Sequence, residues 1–324
     1  MRKILLGTTA LAAAATLSAN AALADVSISG YYEWKYQSRS SNMTAVDGTT
    51  FDSDSEVYLN FSNKTDSGLT IGMTVDLVTD AAEANGTDDS AITISGGFGS
   101  LVLGGKDGVG ANYGVSSTDL PAEEIYATGS DTLTILNADI ANLTDNNTKI
   151  AYHLPAMGGL TAGISYRDSG ATGASDSTEV GFKYAMEAGG ASVTIGAASG
   201  TTENSTQDID TQVYGVNVSS GNITAVVSQS TYEASTMDEE STGAAVSFKV
   251  NDGMTFTVHT AETDDSISNE NYTNTGAEIA YTIASGLTAY LNVEDYDYKI
   301  GSGTGVGTTA DSGTVSKLTI KASF

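Results

Sequence analysis

The residues able to do chemistry in this chain of 324 are chiefly charges, because His153 and His259 are the only histidines and cysteine is absent. A zinc centre, or a nucleophile with its base, needs several such groups converging, and two distant histidines do not supply them. No catalytic residue is therefore assigned, no cofactor is expected, and a resident metal is left unassigned. The chain is instead rich in acid, with 40 Asp and Glu against 13 Lys and Arg and a formal charge of −27. Such a surface repels nucleic acid and excludes it as a partner. It favours cations, since a cleft lined by one sign of charge concentrates the opposite ion. The run Gly104-Gly105-Lys106-Asp107-Gly108 has the composition of a calcium-binding nonapeptide, but it occurs once and a stacked helix of strands needs tandem copies. Asp88-Asp89, Asp238-Glu239-Glu240 and Asp264-Asp265 are expected in exposed loops, either holding Ca²⁺ through their carboxylate oxygens or standing as solvated charge.

The ends of the chain say where these charges work. Arg2 and Lys3 precede an apolar stretch from Ile4 to Leu17, and Ala22-Leu23-Ala24 has the small-x-small pattern of a cleavage site. Residues 1–24 read as a signal peptide, with Asp25 opening the mature chain. Its removal takes away two bases and no acid, so the mature charge is −29. After Asp25 nothing approaches the roughly 20 consecutive apolar residues of a membrane helix. With two prolines, 36 glycines, 16 tyrosines and a mean hydropathy of −0.09, the composition suits a large sheet with many tight turns. Without disulfides, such a sheet must be stabilised by backbone pairing and burial, which favours one that closes on itself.

Period-2 alternation predicts strands at 26–38, 54–63, 69–78, 90–96, 101–106, 147–154, 159–168, 176–187, 191–199, 209–219, 222–232, 241–250, 254–263, 274–284, 287–297 and 314–324. These make sixteen, or fourteen if the short pair at 90–96 and 101–106 is not a hairpin. Every second connection is a short glycine-bearing turn, such as Ala188-Gly189-Gly190 or Ser285-Gly286. The others are longer and more acidic, and 107–146 is the longest. Short turns on one rim and long loops on the other, with an amphipathic last strand ending in Phe324, fit an all-β, antiparallel transmembrane barrel.

Alternation also sorts faces. On the first strand Val26, Ile28, Tyr32, Trp34 and Tyr36 share one side, and Glu33, Lys35 and Arg39 the other. Val180, Phe182 and Tyr184 oppose Glu179 and Lys183, and Leu318, Ile320 and Phe324 oppose Lys317 and Lys321. A sandwich would alternate in the same way with its apolar side inward. The charge-rich polar face and the export signal favour placing that face on a water-filled lumen. Closing the sheet would then bring Lys35 and Arg39 beside Lys317 and Lys321, with Arg167 and Lys183 further round. Trp34, with Tyr32 and Tyr36, is expected in an interfacial aromatic belt. The 107–146 segment holds Leu120, Ile125, Tyr126, Leu133 and Ile135, enough apolar material to fold, and Pro121 before Glu123-Glu124 suits a helix start.

The Ile28-Ser29-Gly30 opening, the Thr65-Asp66-Ser67-Gly68-Leu69 turn, Gly97-Phe98-Gly99 before Leu101-Val102-Leu103-Gly104, and the terminal Phe324 resemble Gram-negative outer-membrane general-diffusion porins of the alphaproteobacterial type. The resemblance covers the mature chain. It implies a sixteen-stranded barrel, a homotrimer among lipid and lipopolysaccharide, passing small hydrophilic solutes and ions. It also implies that the third loop folds into the pore, where Asp107, Asp119, Glu123, Glu124, Asp131 and Asp139 would face Lys35, Arg39, Arg167, Lys183, Lys317 and Lys321 across a constriction. Such constrictions are usually rich in arginine. This mature chain has only Arg39 and Arg167, which weakens a transverse field and favours cations. The competing reading from another class is an acidic, secreted or surface-attached structural or adhesive β protein.

Overall fold

The computed structural model of the protein describes residues 25–42, 47–78, 89–121, 147–168, 175–203, 208–267, 269–299 and 310–324. The expected signal peptide lies outside the described residues, as do 122–146 of the long loop. Sixteen strands form one closed antiparallel barrel, each paired with its neighbours in sequence and the last with the first. They are β1 (Asp25–Ser41), β2 (Gly48–Lys64), β3 (Thr70–Val78), β4 (Ser90–Gly96), β5 (Gly99–Gly105), β6 (Lys149–His153), β7 (Leu160–Arg167) and β8 (Asp176–Ala188) in the first half. The second half comprises β9 (Ala191–Glu203), β10 (Ile209–Ser220), β11 (Ile223–Ala234), β12 (Met237–Asn251), β13 (Met254–Asp265), β14 (Glu270–Ala284), β15 (Leu287–Lys299) and β16 (Asp311–Ser323). The hairpin of 90–96 and 101–106 is present as β4 and β5, so the count is sixteen.

Closure is made by the ends. β1 pairs with β16 in a register that sets Trp34 opposite Ile320 and Glu33 opposite Lys321. Phe324 and Gly30 exchange both backbone hydrogen bonds, at 3.0 and 3.1 Å. No edge remains, which is what lets a sheet lie in lipid with its backbone donors and acceptors satisfied. At the turn between β8 and β9, Ala188 pairs with Ala191 around Gly189 and Gly190, whose φ values of 62° and 84° give the left-handed pair that a two-residue hairpin requires.

Burial is inverted relative to a water-soluble sandwich. Glu179, Thr211, Ser230, Ser241 and Asn292 are wholly buried, whereas Val227, Ile150 and Ile223 are more than half exposed. The polar face therefore points inward and the apolar face outward. Trp34, Tyr36 and Phe51 pack together, with Phe51 5.7 Å from Trp34 and 5.3 Å from Tyr36 between ring centroids.

Several strands run further toward the loop rim than alternation predicts. β2 starts at Gly48 rather than 54, β12 at Met237 rather than 241, β13 reaches Asp265, and β14 starts at Glu270. The acids of 238–240 and 264–265, expected in loops, are thus strand residues. Register separates them: Glu240 faces Asp264 and Glu239 faces Asp265. The first pair lies on the outer face and the second on the inner.

Candidate functional site

The described start of the long connection after β5, through residue 119, folds back into the barrel. Residues Val109–Tyr113 form a short helix, α1, and Ser117–Asp119 a 3-10 turn. α1 rests on the inward faces of β7, β8 and β9, and the 3-10 turn on β11 and β12. Apolar clusters inside the barrel mark this docking: Val109, Tyr113, Ala151 and Val102 form one, and Ala198 with Val213 another.

The backbone of this segment is tied to the wall along its length. Val109 N–H donates to Ser165 Oγ at 3.2 Å, and Gly110 N–H to Glu179 Oε2 at 2.9 Å. Tyr113 Oη lies 2.9 Å from His153 Nδ1 and donates to the Ala162 carbonyl at 3.1 Å. Burial pushes the Tyr113 phenol up, so it stays a neutral donor. Further on, Ser117 N–H donates to Ser228 Oγ at 2.8 Å. The 3-10 turn is closed by a reciprocal box in which Ser116 N–H donates to Asp119 Oδ2 at 3.0 Å and Thr118 N–H to Ser116 Oγ at 3.2 Å.

Glycines make the approach possible. Gly163, Gly181, Gly196, Gly215 and Gly243 occupy inward positions on β7, β8, β9, β10 and β12. Gly163 faces Gly181 in register, and Gly196 faces Gly215. A Cβ at Gly181 would sit 2.8 Å from Tyr113 Cβ, and one at Gly196 2.6 Å from the Tyr113 carbonyl. At Gly215 and Gly243 the clashes, with Val115 O and Ser117 Oγ, are tighter still. The wall is therefore a track of missing side chains that admits another backbone. This track and Glu179 are features of the loop's seat that the sequence reading did not identify. Their signal was available: single glycines, each at an inward position of an otherwise regular strand.

On β16, β1 and β2, about half the ring away, the inward face is ionic. Glu33 receives Lys35 Nζ at 2.9 Å and Lys321 Nζ at 2.5 Å, and Lys35 also reaches Asp54 at 3.5 Å. Lys321 stands 4.1 Å over the Tyr31 ring. Nearer the loop rim, Arg39 pairs with Asp311 at 2.6 Å, donates to Tyr296 Oη at 2.7 Å and is itself buried. Lys317 is inward and in register with Gln37 and Asn292. Of the other candidates, Lys183 is inward on β8, and Arg167 donates to the Ser175 carbonyl at 2.8 Å. Asp107 precedes α1, Asp119 closes the 3-10 turn, and Glu123, Glu124, Asp131 and Asp139 lie outside the described residues. The structure thus gathers Lys35, Arg39, Lys317 and Lys321 on one wall and leaves Arg167 and Lys183 on the other, beside the loop.

A third feature lies at the loop rim. Glu239, Asp265 and Glu270 stand side by side in register across β12, β13 and β14, all facing inward. Asp238, Glu240, Glu262 and Asp264 form a second acidic group on the outer face around a cavity of about 300 Å³. Among the described residues, no cluster of His, Asp or Glu has the arrangement of a metal site.

The closed barrel with its polar interior and inserted segment agrees with the sequence, in which residues 7–301 match the family model of the Gram-negative porins. The chain belongs to the Gram-negative porin family. Solved porins share its fold. An anion-selective porin from Comamonas acidovorans superposes with a TM-score of 0.66 at 18% identity, covering 93% of this chain and 100% of its own. OmpT of Vibrio cholerae, in a trimer form, gives 0.68 at 12% identity, covering 93% and 99%. A variant of the Rh. blastica porin gives 0.67 at 15%, covering 93% and 100%. No curated protein sequence matches the chain.

Proposed function

We propose that this porin is a passive, water-filled diffusion channel for small hydrophilic solutes and ions in the outer membrane, that it prefers cations, and that it works as a homotrimer among lipid and lipopolysaccharide. Family membership carries the channel itself, and the trimer form of the Vibrio cholerae relative favours the assembly. The surface-attached adhesive alternative fits poorly, since an exterior of exposed apolar side chains needs lipid around it.

The observation that carries cation preference is the row Glu239, Asp265 and Glu270 at the inner loop rim. On the opposite wall the bases are already matched, Lys35 and Lys321 by Glu33 and Arg39 by Asp311. Paired charges project little field, and three carboxylates gathered at the rim concentrate cations there, so we assign the preference to that row and to the acids of the inserted loop. We assign the constriction to Asp107, Asp119 and the loop acids Glu123, Glu124, Asp131 and Asp139, facing Lys35, Lys317 and Lys321. Ca²⁺ binding at the outer acids is secondary to this reading.

A planar-bilayer recording under a KCl gradient tests it. The expected reversal potential has the sign of cation preference. Glu239→Gln, Asp265→Asn and Glu270→Gln together should move it toward anions, and more so at low salt, because at physiological ionic strength charges are screened beyond about 8 Å. The same number of neutralisations on the outer face, at Asp238, Glu240 and Glu262, should move it less. Anion preference in the wild type would mean that the basic wall governs selectivity.

A further inference from the structure

α1 has an unusual cap. Its first N–H groups have no partner within the helix, as in any helix, and Gly108 at the cap position offers no side chain to take them. They are taken from outside. Gly110 N–H ends on Glu179 Oε2 at 2.9 Å, and Val109 N–H ends on Ser165 Oγ, which itself donates to the same Oε2 at 3.0 Å. Glu179 is wholly buried, on the inward face of β8 and in register with Ser165 on β7. Two residues along the same strand is Gly181, the position against which Tyr113, the last residue of α1, is seated. One strand therefore holds the start of the helix with a carboxylate and admits its end with a missing side chain.

We propose that Glu179 is the positioning residue that fixes the inserted loop against the wall and thereby sets the open width of the pore. This rests on the diffusion-channel reading and adds a residue to it. Glu179 need not touch the solute. Its carboxylate takes Gly110 N–H directly and holds the Ser165 hydroxyl that takes Val109 N–H, at the point where the chain leaves β5 and turns inward toward Asp119. Without the carboxylate, Gly110 N–H would be buried with no acceptor and the Ser165 hydroxyl that takes Val109 N–H would lose its own, so the segment would leave the wall to reach water. Ser165 is the second half of the anchor, since it relays Val109 N–H to the same oxygen.

The test is single-channel recording of purified, folded Glu179→Ala and Glu179→Gln barrels beside wild type, with a sugar-permeation assay in liposomes. Glu179→Ala is expected to show noisier open current, a changed conductance and a raised sugar size limit. Glu179→Gln keeps one carbonyl oxygen for Gly110 N–H and should recover most of the wild-type behaviour. A merely structural role would lower the yield or heat resistance of the barrel while surviving channels conducted as wild type, and that result would overturn the proposal. If Glu179→Ala does not fold, Ser165→Ala decides, because it leaves the carboxylate and removes the relay. Its channels should be noisier than wild type, and quiet channels of wild-type size limit would count against the anchor. Wild-type protein that forms no channel in the same bilayers would overturn the diffusion reading instead.

Discussion

On β7 to β10 and β12 the inward positions that meet the loop are Gly163, Gly181, Gly196, Gly215 and Gly243, and the inserted segment lies on them, its backbone at Gly196 and Gly215 and its Tyr113 and Ser117 side chains at the others. On β16, β1 and β2 the inward positions are Lys321, Glu33, Lys35 and Asp54, and the side chains pair along the wall. Both walls obey the same alternation and present the same parity to the lumen. Side-chain size and charge, not strand pattern, decide that one wall is a dock and the other a ladder of ion pairs. Gly72 sharpens the point: it too faces the lumen, on β3, yet an added Cβ there would meet nothing closer than 3.6 Å. An inward glycine is part of the dock only where the inserted segment covers it.

The largest effect is expected from filling the dock. Gly196→Val with Gly215→Val places two β-favouring side chains in strands that should still pair, but where the loop backbone lies. Folded, heat-resistant barrels should form, with conductance raised severalfold and larger sugars admitted in liposome swelling, whereas Gly72→Val should conduct as wild type. Equal conductance in the double variant and wild type would mean that the loop does not narrow the pore.

A smaller effect, and on stability rather than conductance, is expected on the ionic wall. Arg39→Ala leaves Asp311 buried beside Tyr296 without its cation, and breaking a buried pair costs about 3–5 kcal/mol. The thermal transition of the barrel should fall, with single-channel conductance nearly unchanged. A large change in conductance with unaltered heat resistance would place Arg39 in the ion path instead of the closing seam.

How far the sequence carried these conclusions differs along each strand. In the lipid band one face must be apolar, so Val180, Phe182 and Tyr184 against Glu179 and Lys183 specify both strand and orientation. Above the band both faces are wet, and alternation fades even though pairing continues. That is why Thr49 to Ser53 and Met237 to Glu240 do not read as strand from sequence, although β2 and β12 include them. The same fading hid the division of the acids, since Asp238 and Glu239 are adjacent in sequence but lie on opposite sides of the wall. For the inserted loop, length and apolar content suggested that it folds. Its course was not legible, because docking is written on the partner strands as absent side chains. The basic wall was found by parity alone, but its matching by Glu33 and Asp311 depends on cross-strand register, which only the closed β1–β16 seam provides.

The central claim, that the segment after β5 lies inside the barrel against β7 to β12, has a direct test that the composition makes clean, because the chain has no cysteine. Ser117 N–H donates to Ser228 Oγ at 2.8 Å, which brings the two residues within reach of a disulfide. In Ser117→Cys with Ser228→Cys, oxidation of the folded barrel in membranes should produce a bridge between the two, detected by a mobility shift reversed by reductant, with conductance close to wild type. Two thiols that remain free under oxidant, with the one at position 117 reacting with a bulky thiol reagent too large to enter the pore, would place the loop outside the lumen and contradict the account.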